Sequence, residues 1–176
     1  MKTELLPPPQ LSEELRTATG PDMSRRRIGI GLSFAGVLIG KVVGAYQTGL
    51  IKHLPEILPG KVFDSDKVDA SDYAYRHGQM PDAMQMVVNY GLTAAAISAG
   101  GKDRASQNPA LPVVAAGKAA FDTLLCLGLA RTEWKENRKL CSWCQTATLV
   151  SALTLAFTLP EAWKAVSGRS AQPATA

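Results

Sequence analysis

The sequence predicts an all-α fold: a four-helix transmembrane bundle with a long loop between helices 1 and 2. Three observations predict it. Four blocks, 28–51, 83–101, 109–130 and 141–160, are nearly free of charge, holding between them only Lys41, Lys118 and Asp122. Each is 19–24 residues long, and about 20 helical residues cross the hydrocarbon of a bilayer. The second and fourth blocks also lack the charged stripe, repeating every 3.6 residues, that a soluble helix of that length shows. The chain's mean hydropathy of zero hides this, because polar ends average against apolar blocks. A soluble all-α bundle is the competing fold, since the Ala, Gly, Ser and Thr of the second and third blocks insert only weakly.

Residues 1–24, with "LPPPQLSEELR", read as a polar cytoplasmic tail. Arg25, Arg26 and Arg27 precede the first apolar block, which is not the layout of a cleaved signal peptide. The membrane domain is expected over 25–166 and a disordered tail over 167–176, "SGRSAQPATA". The net charge of +4 is spread over the loops, with no basic stripe interleaved with aromatics. That excludes nucleic acid as a partner and leaves membrane lipid as the surroundings. Loop charges conflict on orientation. Arg25 to Arg27 place the N-terminus in the cytoplasm and "GKDRASQNP" on the same side, whereas the basic "RTEWKENRKL" argues for the reverse.

The first block carries Gly36, Gly40 and Gly44 on one helix face, where another backbone can approach closely. Their expected role is helix packing, against a neighbouring span or a second subunit. Lys118 and Asp122, four apart, share a helix face and are expected to form a buried ion pair. A proton- or quinone-associated polar site is the functional alternative. Lys41 is expected to snorkel and Cys126 to be a small buried residue. The long loop holds His53 and His77 with Asp64, Asp66, Asp69, Asp72 and Asp82. No metal ligand is assigned, because the spacing matches no metal motif; solvated carboxylates are expected, with Ser71 or Asp82 capping helices.

"Lys139-Leu-Cys141-Ser-Trp-Cys144-Gln" opens the fourth block. At a helix start a Cys-x-x-Cys brings both sulfurs within bridging range and offers the first thiol the helix's unpaired N–H groups. Arg138 and Lys139 favour its thiolate further, so Cys141 and Cys144 are the candidate catalytic pair for thiol–disulfide exchange. Two small residues packed in a helix is the other reading. A four-thiolate zinc site lacks its second pair, because Cys126 is the only other cysteine.

The order of these features resembles the vitamin K epoxide reductase family. "CSWCQTATLVSALTLAF" is similar to that family's paired cysteines followed by an apolar run flecked with Ser, Thr and Ala. Ser71, Gly78, Pro81 and Tyr90 fall in the order of its loop and second span. The resemblance covers roughly residues 28–165. It implies an integral membrane oxidoreductase, in a bacterial inner membrane with the cysteines on the non-cytoplasmic side. A thioredoxin-like thiol protein or another membrane subunit would be its partner, and a menaquinone- or ubiquinone-type quinone its electron acceptor. It further implies that Cys144 is the quinone-proximal cysteine and Cys141 the electron entry, with Ser71, Asp82, Tyr90 and Trp143 lining the quinone site. Departures are plain. Ser65 stands where the family has its first loop cysteine, the second loop cysteine is missing, and Thr148 replaces a tyrosine. A non-catalytic accessory or scaffold subunit is therefore the alternative function.

Overall fold

The computed structural model describes residues 6–76 and 78–168. These form seven α-helices and one 3₁₀ turn, with no strand. In order they are α1 (Pro8–Thr17), α2 (Pro21–Gln47), α3 (Ser65–Asp69), the 3₁₀ turn (Asp72–Tyr75), α4 (Asp82–Ser98), α5 (Arg104–Gln107), α6 (Ala110–Asn137) and α7 (Ser142–Val166). The all-α class is thus as expected. α2 opens with Pro21 behind Gly20, whose φ of 123° only glycine adopts without strain; proline's fixed φ suits the first helical turn. The polar N-terminal stretch is partly helical. Its α1 docks on the bundle through Arg27, whose guanidinium donates to the carbonyls of Leu15 and Ala18 at 3.0 and 2.7 Å.

The four long helices close a ring. α2 packs on α4 and α7, α6 packs on α7 and α4, and the α4–α6 seam is the loosest. The glycine strip forms the α2–α4 seam: a Cβ at Gly36 would lie 2.5 Å from the Tyr90 ring, and one at Gly40 3.0 Å from Val87 Cγ2. Polarity is inverted relative to a soluble bundle. Ser33, Thr93, Ser151, Thr154 and Thr158 are buried, while Phe34, Leu38, Leu92, Phe121, Leu124 and Leu149 face outward, Leu124 at 70% exposure. The hydroxyls of Ser33, Thr154 and Thr158 bond back to carbonyls one turn earlier, at 2.8–3.0 Å, so they need no water. Small polar residues inside and bulky apolar ones outside suit a lipid surround. α2 and α6 are long and apolar enough to cross a membrane. α4 has 17 residues, slightly short of the roughly 20 of a full crossing.

The end of the bundle remote from the cysteines is latched by charge. Arg104, 2% exposed, holds Glu161 through two hydrogen bonds of 2.9 and 2.7 Å and also donates to the Ile97 and Ala99 carbonyls. Arg26 donates to the carbonyls of Ala99, Gly100 and Gly101. A stretch the sequence offers as a plain cytoplasmic loop is therefore partly core.

Two loop expectations need correction. Asp69 is 2% exposed rather than solvated, Asp66 accepts from the Leu54 N–H at 2.7 Å, and Asp82 accepts from Gln47 Nε2 at 2.7 Å. Ser71 heads the 3₁₀ turn without a side-chain cap bond, and Asp82 is the first residue of α4, behind Pro81; Asp64 caps α3, accepting from the Lys67 N–H. His77 and most of the expected disordered tail, 169–176, lie outside the described residues.

Candidate active site

α6 ends on Arg138 in the left-handed region, φ 54°, and α7 begins only four residues later. Between them Leu140 is tied to the long loop: its N–H donates to the Val62 carbonyl and its carbonyl accepts from the Asp64 N–H, both at 3.0 Å. The chain is thereby fixed so that Cys141 is the N-cap of α7, fully buried, its sulfur accepting the Cys144 N–H at 3.2 Å. One of the helix's four unpaired N–H groups is thus aimed at sulfur, where the dipole favours negative charge. Lys139 points away, its ammonium donating to the Lys61 carbonyl.

Around this cap the long loop and α6 converge. Ser65, where the family resemblance expects a loop cysteine, sits at the pair itself. Its Oγ accepts from the Ser142 N–H at 3.0 Å, donates to Glu56 Oε2 at 2.9 Å, and lies 3.3 Å from Ser142 Oγ. Glu133, at the C-terminal end of α6, accepts from the Cys141 N–H and from Gln145 Nε2, each at 3.2 Å. Asp69, at the end of α3, brings one carboxylate oxygen within 4.8 Å of both sulfurs, which themselves lie that close. Three donors fall one short of the set that a closed structural zinc centre uses. Cys126, Cys141 and Cys144 are all free thiols.

Asp69 and Cys141 lie outside the spanning helices, and their surroundings shift them in opposite directions. Burial pushes the Asp69 carboxyl up to about 11, and the neighbouring Cys141 sulfur adds to the rise. Burial also pushes Cys141 up, but the polar groups gathered round its sulfur, first the Cys144 thiol and then the Asp69 carboxyl and the Cys144 N–H, outweigh it. The Cys141 thiol ends at about 7. Asp69 Oδ2 has no hydrogen-bond partner, a position that a neutral carboxyl tolerates far better than a buried carboxylate.

Cys144, one turn into α7, faces a cavity of about 350 Å³ between α4, α6 and α7. α4 contributes Asp82, Gln85, Met86, Asn89 and Tyr90; α6 contributes Leu125, Cys126, Leu129 and Glu133; α7 contributes Cys144, Ala147 and Thr148, and the 3₁₀ turn Tyr73. An apolar wall with a few convergent polar groups, at this volume, matches a small-molecule site. Tyr90 is held rigidly, its hydroxyl 2.6 Å from the Ala147 carbonyl and 2.7 Å from Ser151 Oγ. Asn89 links the cavity to a polar cluster behind it. Lys118 Nζ lies 2.5 Å from Asp122 Oδ1, 2.8 Å from Asn89 Oδ1 and 2.9 Å from Thr93 Oγ1.

Of the residues singled out by sequence, the structure brings Cys144, Asp82 and Tyr90 to one cavity with Cys141 directly behind. Ser71 and Trp143 are not on its wall: the Ser71 hydroxyl donates to the Val68 carbonyl, and Trp143 Nε1 donates to the Pro55 carbonyl. Thr148 is on the wall, so the position of the family's missing tyrosine faces the same space. Asp69 and Glu133 escaped sequence reasoning. Asp69 is one of five loop aspartates and no spacing singles it out; Glu133 sits in a charged run that reads as a solvated helix end.

Comparison with curated proteins and with solved structures found no match. The sequence profile described as the Vitamin K epoxide reductase family matches residues 27–159, which takes in α4 and α6 whole, most of α2 and α7, the long loop and the Cys141/Cys144 pair. With three quarters of its length matched and paired thiols set against a cavity, the chain belongs to the vitamin K epoxide reductase family.

Proposed function

We propose that this protein is a quinone-linked thiol–disulfide oxidoreductase of the bacterial inner membrane. Family membership and the two apolar helices support a membrane thiol oxidoreductase-like role. In the proposed reaction a thiol protein on the non-cytoplasmic side delivers electrons to Cys141, the pair passes them on, and a menaquinone- or ubiquinone-type quinone accepts them in the cavity. All four long helices then serve as membrane spans, α4 tilted or shielded at its short end. The observation that carries this reading is Cys144 in the wall of a mostly apolar 350 Å³ cavity with the buried Cys141 thiol behind it.

The chain's own residues have separate tasks. Cys141, fixed as a helix cap, is the exchange thiol, its negative charge favoured by the α7 N-terminus. Cys144 delivers electrons to the cavity. Tyr90 and Thr148 shape the cavity, and Asp82 and Asn89 supply polar edges. No thiol lies between residues 1 and 125, so a relay within the chain has no carrier and the electrons must arrive from another protein.

Purified, reduced protein in detergent should oxidise its pair when given menaquinone or ubiquinone analogues, with quinone absorbance as the readout. Cys144→Ala should lower that rate at least 100-fold, the scale on which a covalent participant acts. Equal, negligible rates in wild type and variant would defeat the enzyme reading. They would favour the accessory subunit, to which the missing loop cysteines point.

A further inference from the structure

Asp69 is a buried acid that the reading above leaves without work. It sits on α3, 2% exposed, with Oδ1 accepting from the Cys144 thiol at 4.0 Å and Oδ2 without a hydrogen-bond partner. The titratable groups around it are Cys141 and Cys144 from α7, Glu133 from α6, Asp82 from α4, Tyr46 from α2, and Tyr73 and Tyr75 from the 3₁₀ turn. None of these is a cation. Among the described residues an ionised Asp69 would therefore face only neutral or negative neighbours with one oxygen unsatisfied, whereas a neutral Asp69 leaves no buried charge uncompensated and lies within 4.8 Å of both sulfurs.

We propose that Asp69 is the proton store of the dithiol, holding as a neutral acid the proton that Cys141 gives up and releasing it when the pair is oxidised. This rests on the redox reading, and the stoichiometry closes under it. The Cys141 thiolate, the Cys144 thiol and the Asp69 acid together carry one negative charge and two transferable protons. Oxidation joins the two sulfurs and sends two electrons to the quinone. The Cys144 and Asp69 protons go with them, giving the hydroquinone, a disulfide and the Asp69 carboxylate. Charge is unchanged, so no proton need come from water during the step. Reduction of the disulfide by the partner's dithiol supplies two electrons and two protons, one of which returns to Asp69.

The first test needs no quinone. Thiolate ultraviolet absorbance of the reduced full chain is followed against pH, with Cys141→Ser as the baseline. In wild type the Cys141 thiolate forms with a midpoint near pH 7. Asp69→Ala removes a neutral donor, so the midpoint rises by about one pH unit or more. Removing a carboxylate would instead relieve like-charge repulsion and lower it; a fall, or no change, overturns the proposal. Asp69→Asn keeps shape and donor, so it holds the midpoint within about 0.3 unit. A larger fall in that variant also overturns the proposal, and it remains a test should the alanine variant not fold.

The second test uses the quinone assay. Wild-type rates stay flat from pH 7 to 9, whereas Asp69→Asn must draw its proton from water and slows by up to about tenfold per pH unit. Asp69→Glu restores the flat profile. An Asp69→Asn profile as flat as wild type sinks the proton-store role. A wild-type chain that reduces no quinone sinks the redox reading instead, and the absorbance titration still decides the state of Asp69.

Discussion

Ser65 illustrates what one atom decides. Its hydroxyl accepts from the Ser142 amide, beside the Cys141 cap, the place from which a thiol would exchange directly with the pair. Ser65→Cys should therefore close a disulfide to Cys141 under mild oxidation, seen as a linked peptide in non-reducing mass mapping; two separately alkylated peptides would show the side chains point apart. The cysteine pair itself is legible in sequence because its geometry is local: two residues one helical turn apart, with caps and dipole that follow from the chain. Asp69 is not, because its burial comes from elements distant in sequence: α3 packs on α2 and α6, and the α7 cysteines lie beside the carboxyl. The same holds for Ser71 and Trp143. Order along the chain suggested cavity residues, but the Ser71 hydroxyl turns back on its own helix and the Trp143 indole binds the loop.

At the scale of elements, the α2–α4 seam connects packing to the site. Gly36 lies against the face of Tyr90, and Tyr90 is on the cavity wall with its hydroxyl locked to α7. Gly36→Ala should overpack that contact, costing about 1–3 kcal/mol, visible as a lower unfolding temperature in detergent. It should also weaken quinone-analogue binding, because the ring moves only into the cavity. Gly31→Ala, on the same helix with open space around it, should leave both unchanged. The small-residue strip is readable from spacing alone; its partner is not, since any helix could present a facing groove. The start of α6 is legible at Pro109, whereas α2 begins at Pro21, seven residues ahead of its apolar block, and the α4 block extends past Ser98 into the latch.

Across the whole molecule, the two ends of the ring are held by different forces. At the far end Arg104 and Glu161, both nearly unexposed, form a two-pronged ion pair inside the bundle. Glu161→Gln should destabilise the fold by about 3–5 kcal/mol, because it leaves a buried guanidinium uncompensated. The double replacement Arg104→Met with Glu161→Met should cost less than either single change; thermal unfolding in detergent checks both. The inverted polarity of the bundle follows from the uncharged blocks, but the latch does not, since a loop arginine and a helix-end glutamate 57 positions apart carry no pairwise signal. That latch shapes how the molecule can breathe. With one end clamped and the α4–α6 seam loosest, the least tightly packed way to the cavity runs between those two helices. Under the proposed function, a flat quinone ring would enter sideways through that seam, with no helix leaving the ring to admit it.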